Sequence, residues 1–216
     1  GTDLPSYYRQ RTGMVISAAI DKYIYITVNK TFTNDYFLKY SELERAATVD
    51  EIRHPIIREA FRLLDVRPAL EMVSTADIPS GTGLGSSGTF TVGLLHALHA
   101  LRREPISATE LARMACHIEI DRLGQPVGKQ DQYIAAVGGL TVFDFHPDEE
   151  VGVTRLDLSS NTIHELEEHL LLFFTGYSRL AGSILGDQKS RSEDGDADMF
   201  DNLDHTKALG RSIQDA

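Results

Sequence analysis

Residues 77–89 read Asp-Ile-Pro-Ser-Gly-Thr-Gly-Leu-Gly-Ser-Ser-Gly-Thr and stand directly before an apolar run at 90–101. The glycines allow positive φ and a close approach of the backbone to a ligand. A helix that begins immediately after them points its free N–H groups and its positive dipole end into the loop. This arrangement is typical of phosphate sites. A flexible linker with an ordinary helix cap is disfavoured, because a linker needs neither Pro79 nor two adjacent serines.

Composition limits the classes of function. The chain has 216 residues, 42% hydrophobic and 25% charged, as in an ordinary soluble protein, and its net charge is −11. The length gives one large domain, or one domain plus part of another. The negative charge argues against nonspecific nucleic-acid binding and against an acidic membrane surface. No apolar run is long enough to span a membrane.

The termini and the cysteine content add two expectations. Cys116 is the single cysteine, which excludes a disulfide framework and favours a cytoplasmic protein. Residue 1 is Gly rather than Met, and the chain stops at Ala216 within a helical pattern. We therefore expect a fragment, with little activity of residues 1–216 on their own.

The order of predicted elements indicates an α+β domain rather than a regular βαβ repeat. Apolar or alternating segments predict strands at 13–20, 22–30, 37–40, 69–75 and 140–145. Periodicity and capping signals predict helices from Asp50, at 90–103, at 107–122 and at 131–137. The first two strands are expected to pair antiparallel across the Asp21-Lys22 turn.

The pattern of apolar and polar residues changes beyond residue 150. We expect a domain boundary between 150 and 162, which divides the chain into 1–155 and 156–216. In the second part the pattern predicts a helix at 163–169, a buried strand at 170–174, a helix at 180–189, a solvated acidic loop at 192–198 and a helix at 199–216.

Two common nucleotide motifs fit the glycine loop poorly. Residues 83–88 match the G-x-G-x-x-G dinucleotide pattern, but that motif needs a strand running straight into the glycines and an acidic residue after a second strand. Here 77–80 intervene, and the long helix is followed by another helix. A Walker A loop is excluded because no Lys-Ser/Thr pair closes it.

The segment from Pro79 to Gly88 resembles the phosphate-binding motif P-x-x-x-G-L-G-S-S-A of the GHMP kinases, and only Gly88 departs from it. The resemblance implies the GHMP kinase fold: an N-terminal α/β domain with a mixed or antiparallel sheet and helices, followed by part of a second α+β domain. It implies that the loop wraps the phosphates of ATP and that the Ser86 hydroxyl approaches Mg²⁺. The residues expected to hold the phosphates are Ser80, Gly81, Gly83, Leu84, Gly85, Ser86 and Ser87.

Two acidic residues supply the chemistry that the loop lacks. Phosphoryl transfer to a hydroxyl needs Mg²⁺, for which a carboxylate is a suitable ligand, and gains from a base. Glu119 and Asp131 resemble the metal-binding glutamate and catalytic aspartate of the family. Taken singly, Asp131 is more simply a helix N-cap and Glu119 part of a solvated face. Lys129 either keeps Asp131 ionised, contacts substrate or is a solvated lysine.

The N-terminal residues narrow the expected substrate. Gly1-Thr-Asp-Leu-Pro5 resembles the sugar-binding segment of the D-glycero-D-manno-heptose 7-phosphate kinases, which makes Thr2 and Asp3 sugar contacts, although Asp3 also suits a turn before Pro5. The segment 175–179 resembles the same enzymes, with Arg179 a candidate for the substrate phosphate or for a surface salt bridge.

The resemblance therefore implies an ATP- and Mg²⁺-dependent kinase that phosphorylates the anomeric hydroxyl of a heptose 7-phosphate for nucleotide-activated heptose synthesis. It implies small-molecule partners, neither nucleic acid nor membrane, and it allows a homodimer. Two alternatives stay open: another sugar 1-kinase, fucokinase- or galactokinase-like, and a non-catalytic nucleotide or sugar sensor.

Overall fold

The computed structural model describes residues 1–173 and 182–215 as a mixed α/β structure. The strands are β1 (Gly13–Ala18), β2 (Ile24–Lys30), β3 (Tyr36–Lys39), β4 (Leu43–Ala46), β5 (Leu70–Ala76), β6 (Leu140–Phe145) and β7 (Val151–Arg155). The α-helices are α1 (Pro5–Tyr8), α2 (Pro55–Leu63), α3 (Ser86–Arg102), α4 (Ala108–Cys116), α5 (Gln130–Val137), α6 (Ser160–Glu168), α7 (Gly182–Glu193) and α8 (Ala197–Gln214). Val49–Glu51 forms a 3₁₀ turn, and His117–Arg122 continues α4 as a π-helical turn.

The strands form two sheets. One has the order β1-β6-β7 and is antiparallel, whereas the other has the order β2-β5-β3-β4 and contains a parallel β3–β5 pair. The predicted pairing of the first two strands is wrong. β1 pairs with β6, Gly13 opposite Phe145, and β2 pairs with β5, Ile24 opposite Ala76. Each strand finds its partner in a different sheet, so the chain between them crosses from sheet to sheet instead of closing a hairpin.

Two apolar clusters lie on these sheets, and α4 contributes to both. Leu111 and Ala115 of α4 belong to the larger cluster, which packs α2 and α3 on the four-stranded sheet. Ala112 and Cys116 each follow one of these residues and belong to the smaller cluster, which lies on the three-stranded sheet. Helical periodicity thus places one helix between the two sheets.

The structure adds two strands to the prediction and removes one. β4 and β7 were not predicted, since both are short, the buried positions of β4 hold Glu44 and Ala46, and β7 has no buried position. The predicted buried strand at 170–174 is wrong for 170–173, whose side chains are 64–79% exposed and form no strand. Phe174 lies outside the described residues.

The predicted acidic loop at 192–198 is mostly helical. α7 runs to Glu193 and α8 begins at Ala197, where Asp196 caps the helix by accepting a bond from the Met199 N–H. The predicted helix at 180–189 is described only from residue 182. No helix in the described ranges combines the length and apolarity that a membrane crossing requires.

Helix α8 packs against the first part of the chain. Phe200 and Leu203 are buried beside Tyr7, with the Phe200 and Tyr7 rings stacked 5.9 Å apart. Asp204 accepts hydrogen bonds from Tyr7 and Arg11. The division into 1–155 and 156–216 stays a prediction, because these contacts describe one face of α8 and not a second core.

Candidate active site

The glycine loop connects the end of β5 to α3. Asp77 fixes its start, since its carboxylate accepts a bond from the Tyr23 N–H at 2.9 Å and its own N–H donates to the Tyr23 carbonyl. Gly83 has φ +80°, and a Cβ there would meet no atom within 4 Å. The loop therefore leaves open space at its centre, as a ligand cradle must.

The first turn of α3 faces this loop without a side-chain cap. Gly85 is the N-cap residue with φ 68°, and the first turn contains no acidic residue. The uncapped N–H groups carry partial positive charge and suit an anion. Of the residues predicted to hold phosphates, Leu84 is 37% exposed and Ser86 begins α3. The loop thus fits a phosphate group, and the individual contacts stay predictions.

Glu119 lies in the π-helical turn and is 1% exposed. One carboxylate oxygen accepts a bond from the Ser87 hydroxyl, and the other accepts one from the Gln132 amide nitrogen at 2.7 Å. Burial raises the pKa of Glu119, while hydrogen bonds from Ser87, Gln132 and Thr91 act against that rise. A single buried carboxylate thus joins α3 and α5.

The serine that reaches Glu119 is Ser87 and not Ser86, which the sequence had predicted to serve the metal with it. Hydroxyl and carboxylate oxygens are the hard ligands that Mg²⁺ prefers. Among the described residues, no group of three or more His, Cys, Asp or Glu side chains forms a metal site. The side chains here therefore fit a Mg²⁺ ion that takes few protein ligands and binds mainly to phosphates.

Asp131 is the second residue of α5 and lies against the glycine loop and α3. A Cβ on Gly85 would lie 3.0 Å from the Asp131 Cγ, and one on Gly88 would lie 3.0 Å from the Asp131 Cβ. Burial, with smaller contributions from Asp3 and Glu119, raises the pKa of Asp131 from 3.8 to about 6. The carboxyl is therefore poised to bind and release a proton close to neutral pH.

Asp3 lies close enough to Asp131 to contribute to its raised pKa, and it is 9% exposed. It accepts a bond from the Gln130 N–H at 3.2 Å, and a Cβ on Gly128 would lie 1.8 Å from its Oδ2. The structure thus brings Asp3 to the start of the helix that carries Asp131, although 127 positions separate Asp3 from Gln130.

Two other predicted substrate residues, Thr2 and Lys129, form contacts away from Asp131. The Thr2 hydroxyl is buried, where it donates to the Met14 carbonyl at 2.7 Å and accepts from the Met14 N–H, so it holds the backbone together. Lys129 forms an ion pair with Glu149 at 2.6 Å, and it does not contribute to the pKa shift of Asp131. Arg179 lies outside the described residues.

Sequence reasoning missed Gln132 and Ser87 as the residues that hold Glu119. The Asp131-Gln132 pair was visible in the sequence, and its spacing from Glu119 gave no sign of the contact. The contact depends on how α5 packs on the π-helical turn, which no local pattern encodes.

Comparison with known proteins agrees with this geometry. Residues 49–139 match the GHMP kinases N terminal domain. The chain is similar to the D-glycero-alpha-D-manno-heptose 7-phosphate kinase of Campylobacter jejuni, at 32% identity over 209 residues that cover 88% of this chain and 62% of the relative. It is 25% identical to the galactokinase of Pyrococcus furiosus over 196 residues, which cover 84% of this chain and 53% of the relative. It thus spans about half to three fifths of the length of these curated relatives.

A solved structure is similar over nearly the whole chain. The crystal structure of a D-glycero-D-manno-heptose 1-phosphate kinase from Bacteroides thetaiotaomicron superposes with a TM-score of 0.75 at 26% identity, covering 94% of this chain and 72% of the other. The fold class expected from the sequence is confirmed by this match and by the mixed sheets. Residues 49–139 of the chain therefore form a GHMP kinase N-terminal domain.

Proposed function

We propose that the protein is an ATP-dependent sugar kinase that phosphorylates the anomeric hydroxyl of D-glycero-D-manno-heptose 7-phosphate. The observation that carries the proposal is Asp131, a half-buried carboxyl that lies against Gly85 and Gly88 and whose pKa is raised to about 6 by burial and by the nearby charges of Asp3 and Glu119. The names of the Campylobacter and Bacteroides relatives support a heptose phosphate as the substrate class.

The residues present divide the work of a phosphoryl transfer. The loop from Ser80 to Ser87 and the first turn of α3 hold the ATP phosphates, and Glu119 with Ser87 would hold a Mg²⁺ ion. That ion neutralises phosphate charge when bound. Because the net charge of the chain is −11, the loop amides and the ion must supply the local positive charge.

Asp131 acts as the base. Its carboxylate takes the proton of the sugar hydroxyl while the hydroxyl oxygen forms its bond to phosphorus and the bond to the ADP oxygen breaks. Asp3, which accepts a hydrogen bond from the Gln130 N–H at the start of α5, orients the sugar by accepting hydrogen bonds from its hydroxyls. Positioning of the two reactants next to a base of matched pKa is the main source of rate in such a site.

A panel experiment tests the proposal. ADP release is measured with ATP, Mg²⁺ and a set of sugars and sugar 7-phosphates, among them the heptose 7-phosphate, galactose and fucose. We expect the heptose 7-phosphate to give the highest kcat/KM. Galactose or fucose as the best substrate would replace the substrate assignment, and no sugar-dependent release would favour a non-catalytic sensor.

A further inference from the structure

The carboxylate of Glu149, which has no assigned role in the reaction, accepts hydrogen bonds from three side chains. It accepts hydrogen bonds from Lys129 Nζ, the Tyr8 hydroxyl and Arg9 Nε, each at 2.6 Å. Lys129 Nζ also donates to the Glu149 carbonyl at 3.1 Å and lies 4.7 Å from the centre of the Tyr8 ring. Three donors and two main-chain segments therefore converge on one side chain.

Those two segments carry Asp3 and Asp131, whose charges interact. Tyr8 and Arg9 end the segment that begins with Asp3, and Lys129 precedes α5, where its carbonyl accepts the Tyr133 N–H bond at 3.2 Å. Asp3 and Asp131 repel each other when both are ionised. The bond from the Gln130 N–H to Asp3 joins the two segments directly, and the Glu149 contacts add a second attraction between them that offsets this repulsion.

The backbone of Glu149 indicates that the side chain matters. Glu149 has φ 71° in the turn between β6 and β7, a left-handed conformation that a non-glycine residue rarely takes. Burial alone would raise its pKa, yet hydrogen bonds from Lys129, Tyr8 and Arg9 outweigh burial and lower the pKa to about 2. The carboxylate is thus ionised throughout the working range of pH.

The contacts of Glu149 with Lys129, Tyr8 and Arg9 form a network, and they differ in strength. The Arg9 side chain is 56% exposed, so its ion pair is screened and weak. Lys129 is only 9% exposed, and removal of its partner would leave a buried ammonium group unpaired. A cavity of about 420 Å³ opens beside the network, and its lining includes Glu149 and Lys129 but neither Asp131 nor the glycine loop. The network is therefore separate from the reacting atoms.

We propose that Glu149 is a positioning residue that acts through Lys129 and Tyr8 to hold the start of α5 against residues 1–9, and thereby Asp131 against Asp3. Its catalytic consequence rests on the proposed kinase function. Its structural consequence, a fixed N-terminal turn of α5, does not. The Lys129 ammonium group accordingly serves the site without touching substrate.

Two substitutions distinguish the effect of the Glu149 carboxylate from the effect of the strained turn that carries it. Glu149→Gln keeps the shape and the backbone strain and removes the charge, whereas Glu149→Gly removes the charge and relieves the strain at φ 71°. Glu150→Gln, at the adjacent exposed position, is the matched control. Hydrogen–deuterium exchange of amides 130–137, kinetics of sugar-dependent ADP release, and affinity for a fluorescent ATP analogue are measured for each variant.

We expect both Glu149 variants to speed exchange in 130–137 and to lower kcat by about 10- to 100-fold, as small misplacements of catalytic groups do. The KM for ATP and the affinity for the ATP analogue should stay within about twofold of the wild-type values, since the glycine loop is not part of the network. The single variant Lys129→Gln and the double variant Lys129→Gln/Glu149→Gln are measured in the same way. The kcat of the double variant should be no lower than that of the less active single variant, because the two residues act as one unit.

Several results would overturn the proposal. A Glu149→Gly variant with wild-type exchange and kcat would show that only the turn matters, and additive losses in the double variant would uncouple Lys129 from Glu149. If the wild-type protein releases no sugar-dependent ADP, the kinase proposal fails by itself. Exchange in 130–137 then decides the positioning role: faster exchange in both variants supports it, and unchanged exchange rejects it.

Discussion

At the scale of single residues, burial and the charges of Asp3 and Glu119 raise the pKa of Asp131. The raised pKa affects both its ability to act as a base and the free energy of unfolding. The raised pKa means that ionised Asp131 is less favourable in the folded protein than in the unfolded chain. A neutral residue of the same shape should therefore remove the base and stabilise the fold. Activity and stability are expected to change in opposite directions.

We predict that Asp131→Asn lowers kcat by about 10²- to 10⁴-fold, the usual contribution of a general base. The same variant should be more stable at pH 8 by at most about 3 kcal/mol, because burial raises the pKa of the Asp131 carboxyl from 3.8 to about 6 in the folded protein. The gain should shrink as pH falls through about 6 and vanish below about 4, where the carboxyl is protonated in both states. Denaturant unfolding at several pH values measures it, and equal stability at pH 8 would contradict the account.

The pH dependence of the wild-type reaction gives a second prediction. The base must be ionised to accept a proton, so kcat/KM for the sugar should fall by about tenfold per pH unit below about pH 6. Initial rates in buffers of constant ionic strength measure the profile. A rate that stays constant down to about pH 5 would remove Asp131 as the titrating base.

The two adjacent serines provide a third prediction. Ser87→Ala removes a donor from the buried Glu119 carboxylate, whereas Ser86→Ala leaves that bond in place. We expect Ser87→Ala to raise the Mg²⁺ concentration needed for half-maximal rate by about tenfold, which corresponds to about 1.4 kcal/mol. Ser86→Ala serves as the matched control, with a smaller shift. A larger rise in the required Mg²⁺ concentration for Ser86→Ala than for Ser87→Ala would indicate that Ser86 binds the metal, as the resemblance had implied.

At the scale of elements, the close approach of α3 and α5 depends on Gly88. The GHMP motif has a common alanine at this position, and a Cβ there would lie 3.0 Å from the Asp131 Cβ and 3.1 Å from the Gln132 backbone nitrogen. Both are atoms of the helix that carries the base. An alanine must therefore displace α5 by a few tenths of an ångström or strain α3.

We predict that Gly88→Ala lowers kcat by about tenfold or more, since small misplacements of a catalytic group are costly. Gly93→Ala is the control within the same helix, where a new Cβ would meet only the Ile26 side chain at 3.3 Å. That variant should keep its activity and gain helix propensity of up to about 1 kcal/mol. Equal kinetics in the two variants would show that the α3–α5 distance does not limit catalysis.

At the scale of the whole molecule, α8 packs against α1 through Phe200 and against β1 near Gly210. The Phe200 ring is 6% exposed, stacks on Tyr7 and lies under Arg11, whose guanidinium carbon is 4.9 Å from its centre. Phe200→Ala should cost about 3 kcal/mol of unfolding free energy, whereas Leu209→Ala, on the exposed face of α8, should cost under about 0.5 kcal/mol. Chemical denaturation compares the two, and similar losses would mean that α8 is not packed as described.

Local signals in the sequence sufficed for part of this architecture. The glycine loop and α3 lie in one short segment whose pattern is self-contained, so both could be predicted. The roles of Glu119 and Asp131 come from the resemblance to the GHMP kinases and stay predictions. The pairing of β1 with β6 joins positions 13 and 145. The contact of Asp3 with Gln130 and that of Glu149 with Tyr8 also join distant segments. Such contacts follow from the path of the chain between sheets, which periodicity does not encode.

Phosphorus-31 NMR of the reaction products tests whether the protein transfers phosphate to an anomeric hydroxyl with Asp131 as the base. Wild-type protein and the Asp131→Asn variant are each incubated with ATP, Mg²⁺ and D-glycero-D-manno-heptose 7-phosphate. We predict that only the wild-type protein yields ADP together with a second sugar phosphate signal, coupled to the anomeric proton. A new phosphate on another carbon, or equal product from both proteins, would contradict the account.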